Sequence, residues 1–189
     1  MSTSLTNDPV PDLDEFRLRR FVDQMIEEGE VDVVEESIDL ADIAARMDGN
    51  ENAVLFRQAG PEKAEIIGGM TGGRRRMAKA FGVEPADLLA EVNRRLGVSQ
   101  GVIELESSDA PVHDVIVTGD EVDLTVLPVH LQHALDGAPY ISGSLDYVIN
   151  PETGWTNTGA RRLMLRGKTE TGIDLVAPSD LKAIYEKCV

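Results

Sequence analysis

The sequence predicts a mixed α/β fold, in which an α/β region is followed by the beginning of an antiparallel sheet or barrel. Three observations predict it. Apolar residues recur at helical spacing in several segments before residue 100. After Gly97 the texture turns β-rich, and Ile141, Gly143, Leu145, Tyr147 and Ile149 alternate with period two. The strands there are joined by short turns, which suits antiparallel pairing rather than βαβ units. The expected organisation is a leader at 1–11, an α/β domain at 12–110 and a β-rich region at 111–189.

The leader, rich in Ser, Thr, Asp and Pro, reads as disordered. A helix is expected from Asp12, because Leu18, Phe21, Val22, Met25 and Ile26 form one apolar stripe that Gly29 ends. "EVDVVEE" reads as a strand. Asp39 is placed to cap a short helix that buries Leu40, Ile43, Ala44 and Met47. "NAVLF" and "AEIIGG" read as strands around a turn at Gly60-Pro61. In "GGMTGGRRRMAKAFG" the glycines lead into a helix with Met77, Ala80 and Phe81 inward and solvated arginines. The same glycines and Arg74–Arg76 also suit a phosphate at a helix N-terminus, but neither a P-loop nor a Gly-x-Gly-x-x-Gly spacing is present. Pro85 suits the first turn of a further helix, with Leu88, Leu89, Val92 and Leu96 on one side.

"GVIELE", "VHDVIVTG", the stretch from Ile141, "ARRLMLRG" and "GIDLV" read as strands, with "NPETG" and "KTET" as turns. The final helix has Ser179 as cap and Leu181, Ile184 and Tyr185 on one side.

Composition narrows the function. The hydrophobic fraction of 42% supports a packed core, while aromatics at 4% leave that core to Leu, Val, Ile, Ala and Met. No apolar run reaches the roughly 20 residues of a membrane helix, and the N-terminus lacks a signal peptide's basic and apolar regions. A cytoplasmic location is expected. The net charge of −16 argues against a general nucleic-acid binder. It fits both a surface adapted to high salt and an ordinary acidic protein. The single cysteine, Cys188, excludes an internal disulfide framework.

Few residues suggest chemistry. His130 and His133, with Asp136 near, have a spacing that a metal accepts, but zinc wants a third protein ligand and a firmer scaffold, so they read as loop histidines. His113 reads as structural. There is no Gly-x-Ser-x-Gly elbow and no Cys/His nucleophile arrangement. The stretch "GWTNTGARRLMLRG" is richer. Asn157 offers a neutral oxygen to a hard cation, and Gly159 and Ala160 allow close approach to the backbone. Arg162 offers a planar fork to a carboxylate or phosphate. A strand with solvated arginines is the plain alternative.

The order of these residues decides the matter. "DLDEFRLRRFVDQMIEEGEVDVVEE", "AVLFRQAG", "IIGGMTGGRRRMAKAFG" and "LPVHLQHALDGAPYISGSLDYVINPETGWTNTGARRLML" together resemble the UbiD family of decarboxylases. The last passage is the most specific, with its Asn followed five residues later by Arg. The resemblance implies that the β-rich region begins a flavin-binding split β-barrel. It implies a carboxy-lyase for an aromatic, heteroaromatic or α,β-unsaturated acid, with prenylated FMN as electron sink and a divalent metal, usually Mn²⁺. Asn157 is then a metal ligand, the backbone from Thr158 through Gly159 and Ala160 to Arg161 lies against the flavin, and Arg162 holds the substrate carboxylate. Ser179 and Asp180 are placed beside the cofactor phosphate and metal. Many relatives carry histidine where Asp180 falls; aspartate is a competent Mn²⁺ ligand, and it is equally at home in a helix's first turn. The family's catalytic glutamates and C-terminal domain fall beyond Val189. The chain is therefore expected to be incomplete alone, a fragment or a subunit completed by a second chain, and homo-oligomeric once complete. A noncatalytic interaction subunit and a flavin-binding split-barrel module are the competing readings.

Overall fold

The computed structural model describes residues 14–98, 105–133, 135–176 and 178–189. The leader expected at 1–11 and most of "GVIELE" lie outside the described residues. The fold is mixed α/β with two three-stranded sheets and, among the described residues, no closed barrel. The chain divides into two compact units. One gathers the chain up to Ser37, Met47–Ala59 and Lys63–Val117; the other gathers Ile38–Arg46, Gly60–Glu62 and Thr118–Val189.

In the first unit, α1 (Leu18–Glu27) buries Val22 and Met25. It starts later than Asp12, and Leu18 is exposed rather than part of the buried stripe. Gly29 at φ +74° stops it: its N–H reaches the Ile26 carbonyl, and the next N–H, of Glu30, reaches that of Met25. The chain then enters β1 (Val31–Ile38). β2 (Ala53–Ala59) lies centrally between β1 and β3 (Ala64–Gly68), and β2 and β3 pair antiparallel. A central strand covered on both faces needs continuous apolar residues, and Ala53, Val54, Leu55 and Phe56 are all buried. Val22, Met25, Val31, Ala53 and Leu55 form one core cluster. Burying each of the larger ones contributes about 1.5–3 kcal/mol.

α3 (Arg74–Ala80) follows Gly73, but its buried residues are Arg76 and Ala78, not Ala80. The arginines were expected in solvent or around a phosphate. Arg76 does neither: its side chain is 3% exposed, and it donates to the Glu30 carboxylate at 3.2 Å and to the carbonyls of Glu51 and Gly69 at 3.1 Å each. Its Nη1 and Nη2 groups are taken up by the fold, while Nε is buried without a hydrogen-bond partner among the described residues. α4 (Leu88–Leu96) begins after Pro85, which sits in the preceding turn, and buries no residue; Leu89 and Leu96 are exposed. "VHDVIVTG" is not a strand either. Pro111 opens a 3-10 turn, and the His113 Nδ1 bonds locally to Ser107, the structural role expected of it. No described strand pairs with this segment, and a strand needs a ladder partner to satisfy its backbone.

In the second unit, Asp39 caps as expected, accepting from the Ala41 N–H at 2.9 Å, ahead of α2 (Ile43–Met47) with Ile43 buried. The hairpin is the main element. β4 (Tyr140–Ile149) and β5 (Thr156–Leu165) pair antiparallel, and β6 (Thr171–Gly172) adds to β5. Of "GIDLV" only Gly172 is thus in a strand, with Thr171 of the preceding turn segment beside it. The Asn150 side-chain oxygen accepts from the Glu152 N–H at 3.0 Å, and Gly154 turns the chain at φ +71°. The period-two residues Leu145, Tyr147 and Ile149 point to solvent, while Ser144, Asp146 and Val148 are half-buried. α5 (Asp180–Cys188) has Ser179 as cap, accepting from Lys182 N–H at 3.2 Å; it buries Leu181 and Ile184 but leaves Tyr185 half-exposed.

Candidate functional site

β5 carries every residue singled out from Asn157 to Arg162, and its pleat sorts them. Asn157, Gly159 and Arg161 share a half-buried face; Thr158, Ala160 and Arg162 share the exposed one. For Asn157 and Arg162 to meet in one cavity, the strand must bend near Thr158-Gly159. It does not. The ladder runs in register from Ile149↔Thr156 to Ser144↔Arg161, and its irregularity falls on β4, between Ile141 and Ser144. The strand therefore presents two distinct constellations.

The half-buried face holds polar atoms. Asp146 lies opposite Gly159, and Asn157 lies two residues along on the same face. Arg161 Nε is 3.2 Å from Asp146 Oδ1, an ion-pair distance, yet neither atom makes a hydrogen bond of good geometry. The pairing is therefore mainly Coulombic. A Cβ at Gly159 would sit 3.2 Å from both Arg161 Nη2 and Asp146 Oδ1. On this face the glycine makes room for the Arg161–Asp146 pair rather than for a ligand. Asn157 Oδ1 is buried with no hydrogen-bond partner among the described residues, a costly state for an amide oxygen. A hard divalent cation is the kind of group that such an oxygen fits. No cluster of three His, Cys, Asp or Glu side chains suited to a metal occurs among the described residues.

The exposed face opens into a pocket of about 480 Å³, within the range of small-molecule sites. Ala160, Arg162 and Met164 of β5 line it, with Tyr140 of β4 and with Arg166 and Asp174 from the turns that follow. The Arg162 guanidinium carbon is 5.9 Å from the centre of the Tyr140 ring, a cation–π distance. The ring fixes one side of the guanidinium and leaves its N–H fork free for a planar anion.

Ser179 and Asp180 open α5. The Ser179 hydroxyl oxygen is engaged as the cap, and Asp180 stands in the first turn, where the helix dipole favours a carboxylate. Among the described residues the histidine loop shows no ligand set: the Asp136 carboxylate accepts from the His133 backbone N–H at 3.0 Å and so serves the turn. Burial lowers the His130 pKa below the ordinary imidazole value. A lowered folded pKa gives stability that is present above about pH 6.5, the unfolded value, and lost as pH falls towards the folded one. A proton NMR titration should put the His130 midpoint below 6.5, and the thermal midpoint should fall between pH 7 and 5.5. His130→Gln should flatten part of that fall; an unchanged slope would show that burial of His130 is not its source.

Residues 22–96 match the 3-octaprenyl-4-hydroxybenzoate carboxy-lyase N-terminal domain, and residues 103–189 match the Rift-related domain of the same carboxy-lyase. The chain is similar to a protein encoded in the cooM 5′ region of Rhodospirillum rubrum, 31% identical over 79% of this chain and 32% of that one. It is similar to the anhydromevalonate phosphate decarboxylase of Methanosarcina mazei, 28% identical over 89% of this chain and 38% of that one. In structure it resembles an evolved dimeric form of the UbiD-class enzyme HmfF from Pelotomaculum thermopropionicum in complex with prFMN. The TM-score is 0.81 at 24% identity, covering 90% of this chain and 40% of that one. It also resembles the apo 3,4-dihydroxybenzoic acid decarboxylase AroY of Klebsiella pneumoniae, with TM-score 0.78 at 20% identity, covering 90% of this chain and 39% of that one. The chain thus spans between 32% and 40% of the length of these relatives. Matched along both segments, it belongs to the UbiD family of carboxy-lyases.

Proposed function

We propose that this chain is the N-terminal part of a prenylated-FMN-dependent decarboxylase of an aromatic, heteroaromatic or α,β-unsaturated carboxylic acid. The observation that supports the reading is Arg162, set against Tyr140 in an open pocket beside β5. In this reading Arg162 holds the substrate carboxylate by two parallel N–H bonds, which fixes the scissile bond's direction. Ala160 and Met164 supply apolar wall beside it. Asn157, with its unpartnered oxygen, is the proposed metal ligand, for Mn²⁺ or another divalent cation, and Asp180 is a second candidate. The backbone of Thr158, Gly159, Ala160 and Arg161 is the proposed seat of the flavin, with Ser179 near its phosphate. Prenylated FMN would supply the electron sink that release of CO₂ from an sp² carbon requires.

The exposed Leu145, Tyr147 and Ile149 support a further polypeptide segment covering the hairpin, from a second chain or a longer one. They also favour the rival reading, a noncatalytic interaction subunit. No described helix is long and apolar enough to cross a membrane, and we place the protein in the cytoplasm. Titration with prenylated FMN and Mn²⁺, read by flavin absorbance, should saturate, and Asn157→Ala should weaken it about tenfold or more. CO₂ release from a panel of unsaturated acids, by the chain alone and with a UbiD C-terminal segment added, separates an enzyme from a flavin-binding module. Absence of flavin binding under all these conditions would leave the interaction subunit.

A further inference from the structure

The pocket on the exposed face of β5 contains a second arginine. Arg162 and Arg166 are four residues apart and both line it. Gly172 on the facing strand makes room for Arg166: a Cβ there would meet Arg166 Nε at 2.8 Å and Cζ at 3.2 Å. Neither guanidinium has a side-chain hydrogen bond or ion pair among the described residues. Arg161, which also borders the pocket, is neutralised by Asp146 on the other face. Asp174 is the one acid among the lining residues, and its Oδ1 accepts from the Val176 N–H at 2.8 Å, so it is turned onto the backbone. Two unengaged arginines against one engaged aspartate make this lining net positive, in a chain whose net charge is −16.

We propose that the pocket selects a dianionic acid, with Arg162 receiving the carboxylate to be lost and Arg166 receiving a second anionic group, a carboxylate or a phosphate. The inference rests on the carboxy-lyase reading for the role of Arg162 and goes beyond it by naming the substrate class. The plain alternative is that Arg166 is a solvated arginine at a strand end. The two differ in sign. The field of the whole protein disfavours a dianion relative to a monoanion. A preference for the dianion therefore requires a local receptor for the second charge, and Arg166 is the group placed to be one. Its fork suits carboxylate and phosphate alike.

The test is an NMR titration of the 189-residue chain with benzoate, terephthalate and 4-phosphonobenzoate at low ionic strength. Either or both of the two-headed acids should bind about tenfold more tightly than benzoate, the scale of one charge-assisted contact. The comparison between terephthalate and the phosphonate identifies which second group is preferred. Arg166→Gln should erase that advantage, weakening the two-headed acids about tenfold more than it weakens benzoate. Raising the salt concentration should shrink it. Equal affinity for all three acids overturns the proposal, as does an advantage that survives Arg166→Gln. Failure of the underlying reading looks different: benzoate binding would then be indifferent to Arg162→Gln, whatever the second charge does.

Discussion

Arg162→Gln is expected to lower kcat/KM by about 10²–10³-fold in the complete flavin- and metal-loaded decarboxylase, the scale of losing one preorganised charged group at a reacting centre. An unbroken pleat puts Arg162 on the face away from Asn157, and the bulge on β4 between Ile141 and Ser144 lies opposite it. The Tyr140 ring then holds the guanidinium from one side. On the proposed reading, removing the fork leaves the substrate carboxylate without its bidentate partner, and the substrate loses both affinity and direction. Arg162→Lys should recover little, because an ammonium is a point charge that neither pairs in parallel nor lies flat on a ring. Flavin binding should be nearly unchanged in both variants, since the proposed metal ligand faces the other way. A loss below about threefold in Arg162→Gln would mean that some other group orients the acid.

Much of this architecture is legible in the sequence because it rests on local rules. Asp39 and Ser179 cap as their side chains predict, and Gly29 ends its helix in the left-handed conformation only glycine adopts cheaply. The hairpin follows from period two on either side of an Asn-Pro-x-x-Gly turn. What escapes is decided by distant neighbours. Periodicity finds the alternation of Leu145, Tyr147 and Ile149 but not which face is covered, and that face is exposed here. "VHDVIVTG" has strand propensity without a described partner strand, and propensity alone forms no ladder. Asn157 and Arg162 are singled out together by the family resemblance, but their divergence depends on where the hairpin bulges. Gly159 suggests an open backbone, whereas the space beside it is taken by Arg161 reaching Asp146. Arg166 carries no signal in the sequence, because its room comes from Gly172, which pairs with Met164. A two-residue edge strand is too short to read.

Arg76 is the largest departure, and its removal should be the most damaging change to the first unit. Arg76→Ala is expected to cost about 3 kcal/mol. The guanidinium, 3% exposed, joins three places distant in sequence: the turn after α1 at Glu30, the approach to β2 at Glu51, and the end of β3 at Gly69. Deleting it leaves part-buried carbonyls without their donors, each at about 1 kcal/mol, and a cavity besides. The loss stays below the roughly 3–5 kcal/mol of a fully broken buried ion pair, because Glu30 keeps Arg75 at 2.8 Å. Arg75 is itself 74% exposed, so Arg75→Ala should change stability by less than about 1 kcal/mol. Gly73→Ala approaches the same contact from outside. Its backbone, at φ −112°, suits any residue, but the new methyl would lie 2.6 Å from the Arg76 guanidinium carbon. Pushing that group off its carbonyls should cost about 1–3 kcal/mol. Hydrogen exchange of the Ala53–Ala59 amides measures the effect within this unit. Arg76→Ala should accelerate exchange there most, Gly73→Ala less, and Arg75→Ala hardly at all. Equal protection in Arg76→Ala and Arg75→Ala would show that the buried guanidinium does not hold these segments together.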